Sequence, residues 1–293
     1  MRFKKFFETI YKPHARKTYA ATTYRQLRGR FARSFVTSLG PMLMSSITPE
    51  EASTFLRSYQ KEHSLRDASM AKNRQLLLAI FKLALLEGIV SRNIIHDTIK
   101  YSFRPKKDYD TLTKEELHRL LSFLKQSKSP WHYIYAFACY TGMRYSELLE
   151  LKWEDIVEEG KAFKVRRSRS AKVKEVRQTK TGKLRLVPIN PYIRDLLVEL
   201  GFRNEEYILP RAPKFVQGHA ASVLKEHAQA LNLPLIRFHD LRAFFATELL
   251  SKGIPITKVM KICGWSTLAT ANRYMRMASI DIEGVTDCLG AAI

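Results

Sequence analysis

The sequence predicts a mainly helical protein with one small antiparallel β-sheet, arranged as a helical N-terminal domain and a larger second domain. Three observations carry that prediction. Apolar residues recur at helical spacing over residues 20–95 and return after residue 113, in line with a chain dominated by amphipathic helices. Residues 153–189 break that rhythm with short runs of β-type residues. Between Lys100 and Asp110 the stretch KYSFRPKKDYD loses apolar periodicity, contains Pro105 and is locally basic, which reads as a linker. The expected domains are therefore residues 1–107, with the linker at the end, and residues 108–293.

The first domain reads as helices over Thr23–Leu39, Thr48–Gln60 and Ala68–Leu86. The second of these opens on Thr-Pro-Glu-Glu, a start signal in which the threonine caps and the glutamate three residues on answers it. Thr113-Lys-Glu-Glu repeats that signal at the head of the second domain, and Trp131–Tyr140 reads as an apolar helix ending near Thr141-Gly142. Strands are expected at Ala162–Arg167, Val173–Gln178 and Leu184–Ile189, with Gly160 and Gly182 in turns. Helices follow at Pro191–Leu200, Gln217–Leu231, His239–Lys252, Pro255–Cys263 and Thr267–Met275.

With 50 Lys and Arg against 28 Asp and Glu, the 293-residue chain carries a net charge of +22, which makes a polyanion the expected partner. Residues 1–107 hold 21 basic and 7 acidic residues, so the front of the chain is its more basic part. Nucleic acid is the leading reading; a merely basic protein, or one that touches anionic membrane, is the plainer alternative. The longest apolar stretch, Leu76–Val90, is interrupted by Lys82 and Glu87 and is too short and too charged to span a bilayer. Met1–Lys17 lacks the apolar core and cleavage site of a secretory signal, so a cytoplasmic location is expected. Cys139, Cys263 and Cys288 lie far apart, which supports neither a disulfide framework nor a zinc site.

Four segments carry residues suited to chemistry. In the helix that begins Phe238-His-Asp-Leu-Arg, a turn of about 100° per residue puts Phe238, Leu241, Phe245 and Leu249 on one apolar stripe, with Arg242 beside it. His239, three residues before Arg242, projects from the same side, so the two can converge on one anion; an internal salt bridge is the ordinary alternative. Thr141-Gly-Met-Arg-Tyr-Ser-Glu supplies Arg144 after a helix end and Glu147 three residues on, a spacing that equally suits a weak surface ion pair. Lys180 lies in the basic turn Gln-Thr-Lys-Thr-Gly-Lys, which by itself is uninformative. Gly264-Trp-Ser-Thr precedes a short helix that reaches Tyr274, and a tyrosine taken alone is more often a packed aromatic than a nucleophile.

Together, TGMRYSELL, KTGKLRLVPI, FHDLRAFFATELL and GWSTLATANRY follow the order and spacing of the catalytic signature of tyrosine recombinases, and the chain resembles that family, which includes phage integrases and the Xer and Cre recombinases. The helical residues from about 16 to 100 likewise resemble the family's core-binding domain, a clamp on DNA opposite the catalytic domain. The resemblance implies that Arg144 and Arg242 hold the scissile phosphate, Tyr274 attacks it, Lys180 protonates the departing 5′ oxygen and His239 assists proton transfer. Lys183 lies on the same turn and competes for the lysine role. Glu147 matches the acidic position that supports the site. Trp265 stands where most members have a second histidine; an indole N–H donates but cannot act as acid or base, so Trp265 is assigned to phosphate binding and packing.

The chemistry agrees with the resemblance. Phosphoryl transfer builds negative charge on nonbridging oxygens, and two forked guanidiniums stabilise it without a metal. No acidic cluster suits magnesium, so neither metal nor cofactor is expected. A phenol with a pKa near 10 attacks poorly at neutral pH unless nearby cations favour its phenolate. A phosphotyrosine linkage stores roughly the energy of the broken diester, which removes the need for ATP and for a P-loop.

Double-stranded DNA is thus the expected partner, gripped by both domains, with Arg25, Arg28 and Arg30 on phosphates. The family implies a monomer in solution and a homotetramer on paired sites, with accessory proteins possible and no membrane role. The apolar Ile280–Ile293 is expected to dock on a neighbouring protomer or on its own domain. Two other functions compete: a type IB topoisomerase or resolvase, and a catalytically silent DNA-binding regulator with this fold.

Overall fold

The computed structural model describes residues 1–102, 111–170, 175–178, 184–201, 206–209 and 218–278, with the side chains of residues 21, 22, 26, 30, 170, 175–178 and 273 outside that description. The protein is mainly helical with a small antiparallel sheet, and it divides into two compact units, Met1–Lys106 and Lys107–Ile293. Most of the expected linker, residues 103–110, lies outside the described residues, as does Ile280–Ile293.

The N-terminal unit starts earlier than its sequence suggests. Met1–Lys17, read only as a basic stretch, forms helix α1 (Phe3–Phe6), a π-helical turn (Phe7–Tyr11) and α2 (Lys12–Thr18). The wide turn ends two residues before Pro13, which sits in the first turn of α2, where its missing N–H costs no regular helical bond. Phe3, Phe6, Phe7, Tyr11 and Ala15 are buried while Lys4, Lys5, Arg16 and Lys17 face water, so the segment is an amphipathic helix whose apolar face joins the core.

The expected helix Thr23–Leu39 is two, α3 (Ala21–Leu27) and α4 (Arg30–Leu39). The break falls at Gly29, which N-caps α4 in an extended conformation; glycine gains least from staying helical. Helix α5 (Pro49–Glu62) begins with the capping box announced by its sequence: Glu51 N–H donates to Thr48 Oγ1 at 3.2 Å, and Thr48 N–H to the Glu51 carboxylate at 2.8 Å. Helix α6 (Asp67–Leu86) completes the bundle. The core is a lattice of rings, with Phe35 edge-on to both Phe3 and Phe55 at 4.9 Å.

In the second unit α7 (Lys114–Gln126) opens on the Thr113–Glu116 capping box. Helix α8 (Trp131–Thr141) is buried along most of its length and stops at Gly142, whose φ is +62°. A β-carbon there would lie 2.4 Å from the Phe245 ring, so both the turn and the packing require glycine. The short α9 (Tyr145–Leu148) follows at once.

Strands β1 (Ile156–Val157), β2 (Ala162–Val165) and β5 (Arg185–Pro188) form an antiparallel sheet in the order β1-β2-β5, and β3 (Arg167–Ser170) pairs with β4 (Glu175–Gln178) in a separate antiparallel ladder. The expected strand Ala162–Arg167 is therefore cut at Arg166, whose flanking residues serve different sheets. Helices α10 (Pro191–Leu200), α11 (His219–Ala230), α12 (Phe238–Ser251), α13 (Ile256–Cys263) and α14 (Leu268–Met275) match their sequence signals to within about two residues.

Helix α12 corrects the expected apolar stripe. Packed against α8, α13 and α14, it buries Asp240, Leu241, Arg242, Ala243, Phe244, Ala246, Thr247 and Leu250, whereas Phe238, Phe245 and Leu249 are only partly covered. A helix enclosed on several sides has no single stripe, and Arg242, expected beside the buried face, lies inside it at 1% exposure.

Candidate active site

Helices α9, α12, α13 and α14 and strand β5 bring six of the singled-out residues, Arg144, Glu147, His239, Arg242, Trp265 and Tyr274, into one constellation. Its centre is Glu147, whose side chain is 1% exposed. The carboxylate accepts the backbone N–H of Arg144 and its guanidinium Nη1, both at 2.8 Å. The anticipated surface pair is thus half of a buried structure.

The other half comes from Arg185 on β5, which sequence reasoning missed. Its fork closes on Glu147, Nη1 to Oε1 at 3.1 Å and Nη2 to Oε2 at 2.6 Å, while Nε donates to the Ile262 carbonyl at 2.8 Å. The signal was present: Arg185 alternates with Val187, which is fully buried, so the arginine had to face the core. Gly264, at φ +65°, ends α13, and a β-carbon on it would lie 3.0 Å from Arg185 Cδ. The glycine of the GW motif therefore leaves room for this arginine.

Arg242 is held more loosely. Its Nη2 donates to the Cys263 carbonyl, and its Nη1 lies 3.9 Å from Glu147 Oε2, beyond hydrogen-bonding distance. Nε and Nη1 are buried with no hydrogen-bond partner. The internal ion pair with Glu147 offsets part of its charge but leaves two donors unmet at 1% exposure, which is costly unless another acceptor arrives. Burial chiefly, with the like charges of Arg144 and Arg185, pulls its guanidinium down to about 10, so it remains cationic at neutral pH. Burial acts to raise the Glu147 carboxyl, but the hydrogen bonds and charge of Arg185, then Arg144, hold it at about 2. Three guanidiniums around one carboxylate leave a positive surplus, which an anion can neutralise.

The last carbonyls of α13, at Ile262 and Cys263, are each taken by an arginine, a favourable pairing with the negative end of a helix. This fixes the turn that delivers Trp265. The indole stacks on Tyr274 with centroids 4.5 Å apart and planes 10° off parallel, and the Arg242 guanidinium lies 5.8 Å over the indole. Tyr274, only 3% exposed, has its hydroxyl 2.8 Å from His239 Nε2. The order of contacts runs Arg242, Trp265, Tyr274, His239.

Residues 110–279 match the model of the phage integrase family, more than half of the chain. The chain belongs to the phage integrase family. It is 27% identical to a XerC-like tyrosine recombinase of Caldanaerobacter subterraneus over 255 residues, 74% of this chain and 63% of that relative. It is 27% identical to the tyrosine recombinase XerA of Pyrococcus furiosus over 270 residues, 88% of each. Its fold is that of the Tn1549 transposon integrase solved with transposon right-end DNA, with a TM-score of 0.77 at 18% identity, covering 99% of this chain and all of that one.

Within this member of the phage integrase family, Lys180 and Lys183 lie outside the described residues. Arg25 and Arg28 are exposed in the N-terminal unit, where Arg28 lies 5.5 Å over the Tyr24 ring, and the Arg30 side chain is outside the description. None of the described helices is long and apolar enough to cross a membrane.

Proposed function

We propose that this phage integrase family member is a site-specific DNA recombinase that cuts and rejoins strands through a 3′-phosphotyrosine intermediate. Arg144 and Arg242 hold the scissile phosphate, and the unmet Nε and Nη1 donors of Arg242 are the observation that carries this reading, since a phosphate oxygen is the acceptor they lack. Arg185 and Glu147 brace them. The Tyr274 oxygen bonds to phosphorus as the P–O5′ bond breaks; the phenolic proton passes to His239, and Lys180 supplies a proton to the leaving 5′ oxygen. Rejoining runs the same steps backwards, with no cofactor. Trp265 orients the phenol by stacking and does not move a proton.

In this reading the N-terminal unit, through side chains such as Arg25, Arg28 and Arg30, clamps duplex DNA in the cytoplasm. Monomers meet as a tetramer on two sites. The test is covalent trapping: nicked fragments of source DNA are incubated with wild-type protein and with Tyr274→Phe, denatured, and the protein-linked DNA is sequenced. Adducts from the wild type alone, clustered at one sequence, are expected. Scattered Tyr274-dependent adducts would replace the recombinase with a topoisomerase-like enzyme. DNA binding by both proteins without adducts would leave a binding-only regulator.

A further inference from the structure

Arg185 differs from the other two guanidiniums of the site in being committed to the protein at every nitrogen. Nε donates to the Ile262 carbonyl at 2.8 Å, and the two terminal nitrogens donate to the two Glu147 oxygens at 3.1 and 2.6 Å. Its side chain is 7% exposed. Arg242, by contrast, keeps Nε and Nη1 unmet, and the Arg144 side chain is partly exposed. Those two can turn to a phosphate, whereas the work of Arg185 is internal.

What Arg185 joins defines that work. Its backbone is fixed in the β2–β5 ladder opposite Val165, while its fork reaches α9 and its Nε edge reaches the last turn of α13. A guanidinium is planar and rigid, so it holds the Glu147 carboxylate and the Ile262 carbonyl at one separation. Gly264 then turns the chain at φ +65° against Arg185 Cδ, and the Trp265 N–H is bonded back to the Met260 carbonyl at 3.0 Å. The end of α13, the turn and the indole are thus one piece. Tyr274 stacks on that indole at 4.5 Å, and Arg144 is bound to the same carboxylate that Arg185 grips. Arg185 thereby ties the side of the site that carries Arg144 to the side that carries the phenol.

We propose that Arg185 is a positioning residue for the nucleophile: by holding the end of α13 on Glu147, it sets where Trp265 and Tyr274 stand relative to a phosphate on Arg144. The inference rests on the reading that Tyr274 attacks a phosphate held by Arg144 and Arg242. It assigns Arg185 to one direction of the reaction. Cleavage begins with Tyr274 free and dependent on its surroundings for aim, whereas rejoining begins with Tyr274 already bonded to phosphorus. Both cross the same transition state, so a residue that only aims the free tyrosine changes the first rate and not the second. A residue that holds the phosphate changes both.

The experiment follows both directions in single turnover on the site found by trapping: cleavage of a nicked duplex, and rejoining of the isolated covalent complex after addition of a strand with a free 5′ hydroxyl. Arg185→Lys keeps a charge beside Glu147 but replaces the planar fork with one ammonium, which cannot hold both acceptors as the fork does. It should slow cleavage about tenfold or more, the scale of a small misplacement, with rejoining within about twofold of wild type and DNA affinity unchanged. Arg144→Lys should slow both directions. The indole N–H resonances of the three tryptophans give a reading that needs no DNA. The Trp265 signal, identified by its loss in Trp265→Phe, should move in Arg185→Lys toward its position in Tyr274→Ala, with the Trp131 and Trp153 signals in place. Gly264→Ala, whose β-carbon presses on Arg185 from the side of α13, should show the same split and serves if Arg185→Lys does not fold. Equal slowing of cleavage and rejoining, slowing of neither, or a Trp265 signal that stays in place would overturn the proposal. Arg144→Lys that slowed neither direction would instead remove the reading beneath it, and the Arg185 inference with it.

Discussion

Among the described residues, the buried polar side chains of the N-terminal unit, tyrosines aside, are Ser53 and Thr98, both neutral and both hydrogen-bonded, within a core of phenylalanine and tyrosine rings. In the second unit the described residues bury Glu147, Glu150, Asp155, Arg185, Asp240 and Arg242, four acids and two bases. The first kind of interior is stabilised by the removal of apolar surface from water. The second resists closure, because each charge must find partners, and at Arg242 and Glu150 the protein supplies too few. The units thus differ in kind: one gives a firm apolar scaffold, the other holds buried charge that its described side chains do not fully satisfy.

The largest stability effect expected from this contrast lies in the aromatic core. Phe35 is 1% exposed and meets Phe3, Phe31 and Phe55. Phe35→Ala should cost about 3–5 kcal/mol in denaturant unfolding, through lost transfer energy and the cavity left behind. Cleavage per folded molecule, measured at saturating DNA, should change little. A variant that stayed stable but cut slowly would show that the first unit shares in the chemistry and would end the division of labour.

Arg242→Met makes the opposite prediction. Loss of one preorganised donor group at a developing negative charge costs about 10²–10³ in rate. Stability should fall little, because removing a half-satisfied buried cation offsets the lost bond to the Cys263 carbonyl. Thermal melting beside single-turnover cleavage tests both halves at once. A collapse in melting temperature with cleavage retained would make Arg242 a structural residue.

The same contrast explains what the sequence discloses. The caps at Thr48 and Thr113 and the glycine stop at Gly142 are local devices, complete within four residues, and they are legible. So are the catalytic candidates, whose order along the chain survives without knowledge of their contacts. The N-terminal helix is missed because Lys4, Lys5, Arg16 and Lys17 hide its apolar face in a basic count. The break at Gly29 is passed over because the apolar rhythm runs on across it. Arg185 and Glu150 are invisible for a deeper reason: their contacts are made with residues 38 and 19 positions distant, Glu147 and Arg169, and only the fold brings these together. Arg242 is recognised as a residue and placed beside the buried face, whereas it lies within it, since a helix packed on several neighbours has no single wet face.

The smallest predicted effect concerns acid, and it isolates a buried charge that is well satisfied. The Glu147 carboxyl is held at about 2 against an ordinary 4.5, so the native state favours its ionised form more than the unfolded chain does. Stability from this group is whole above about pH 4.5 and is lost as the pH falls through about 2, by at most about 3 kcal/mol. In Glu147→Gln the arginines keep an uncharged partner at every pH, so the variant starts less stable but has no such contribution to lose. Urea midpoints measured between pH 5 and pH 2.5 should therefore converge for the two proteins as acid is added, other carboxylates being common to both. A constant gap would mean that Arg185 and Arg144 do not hold Glu147 ionised, and that the positive surplus of the site is larger than three guanidiniums around one carboxylate provide.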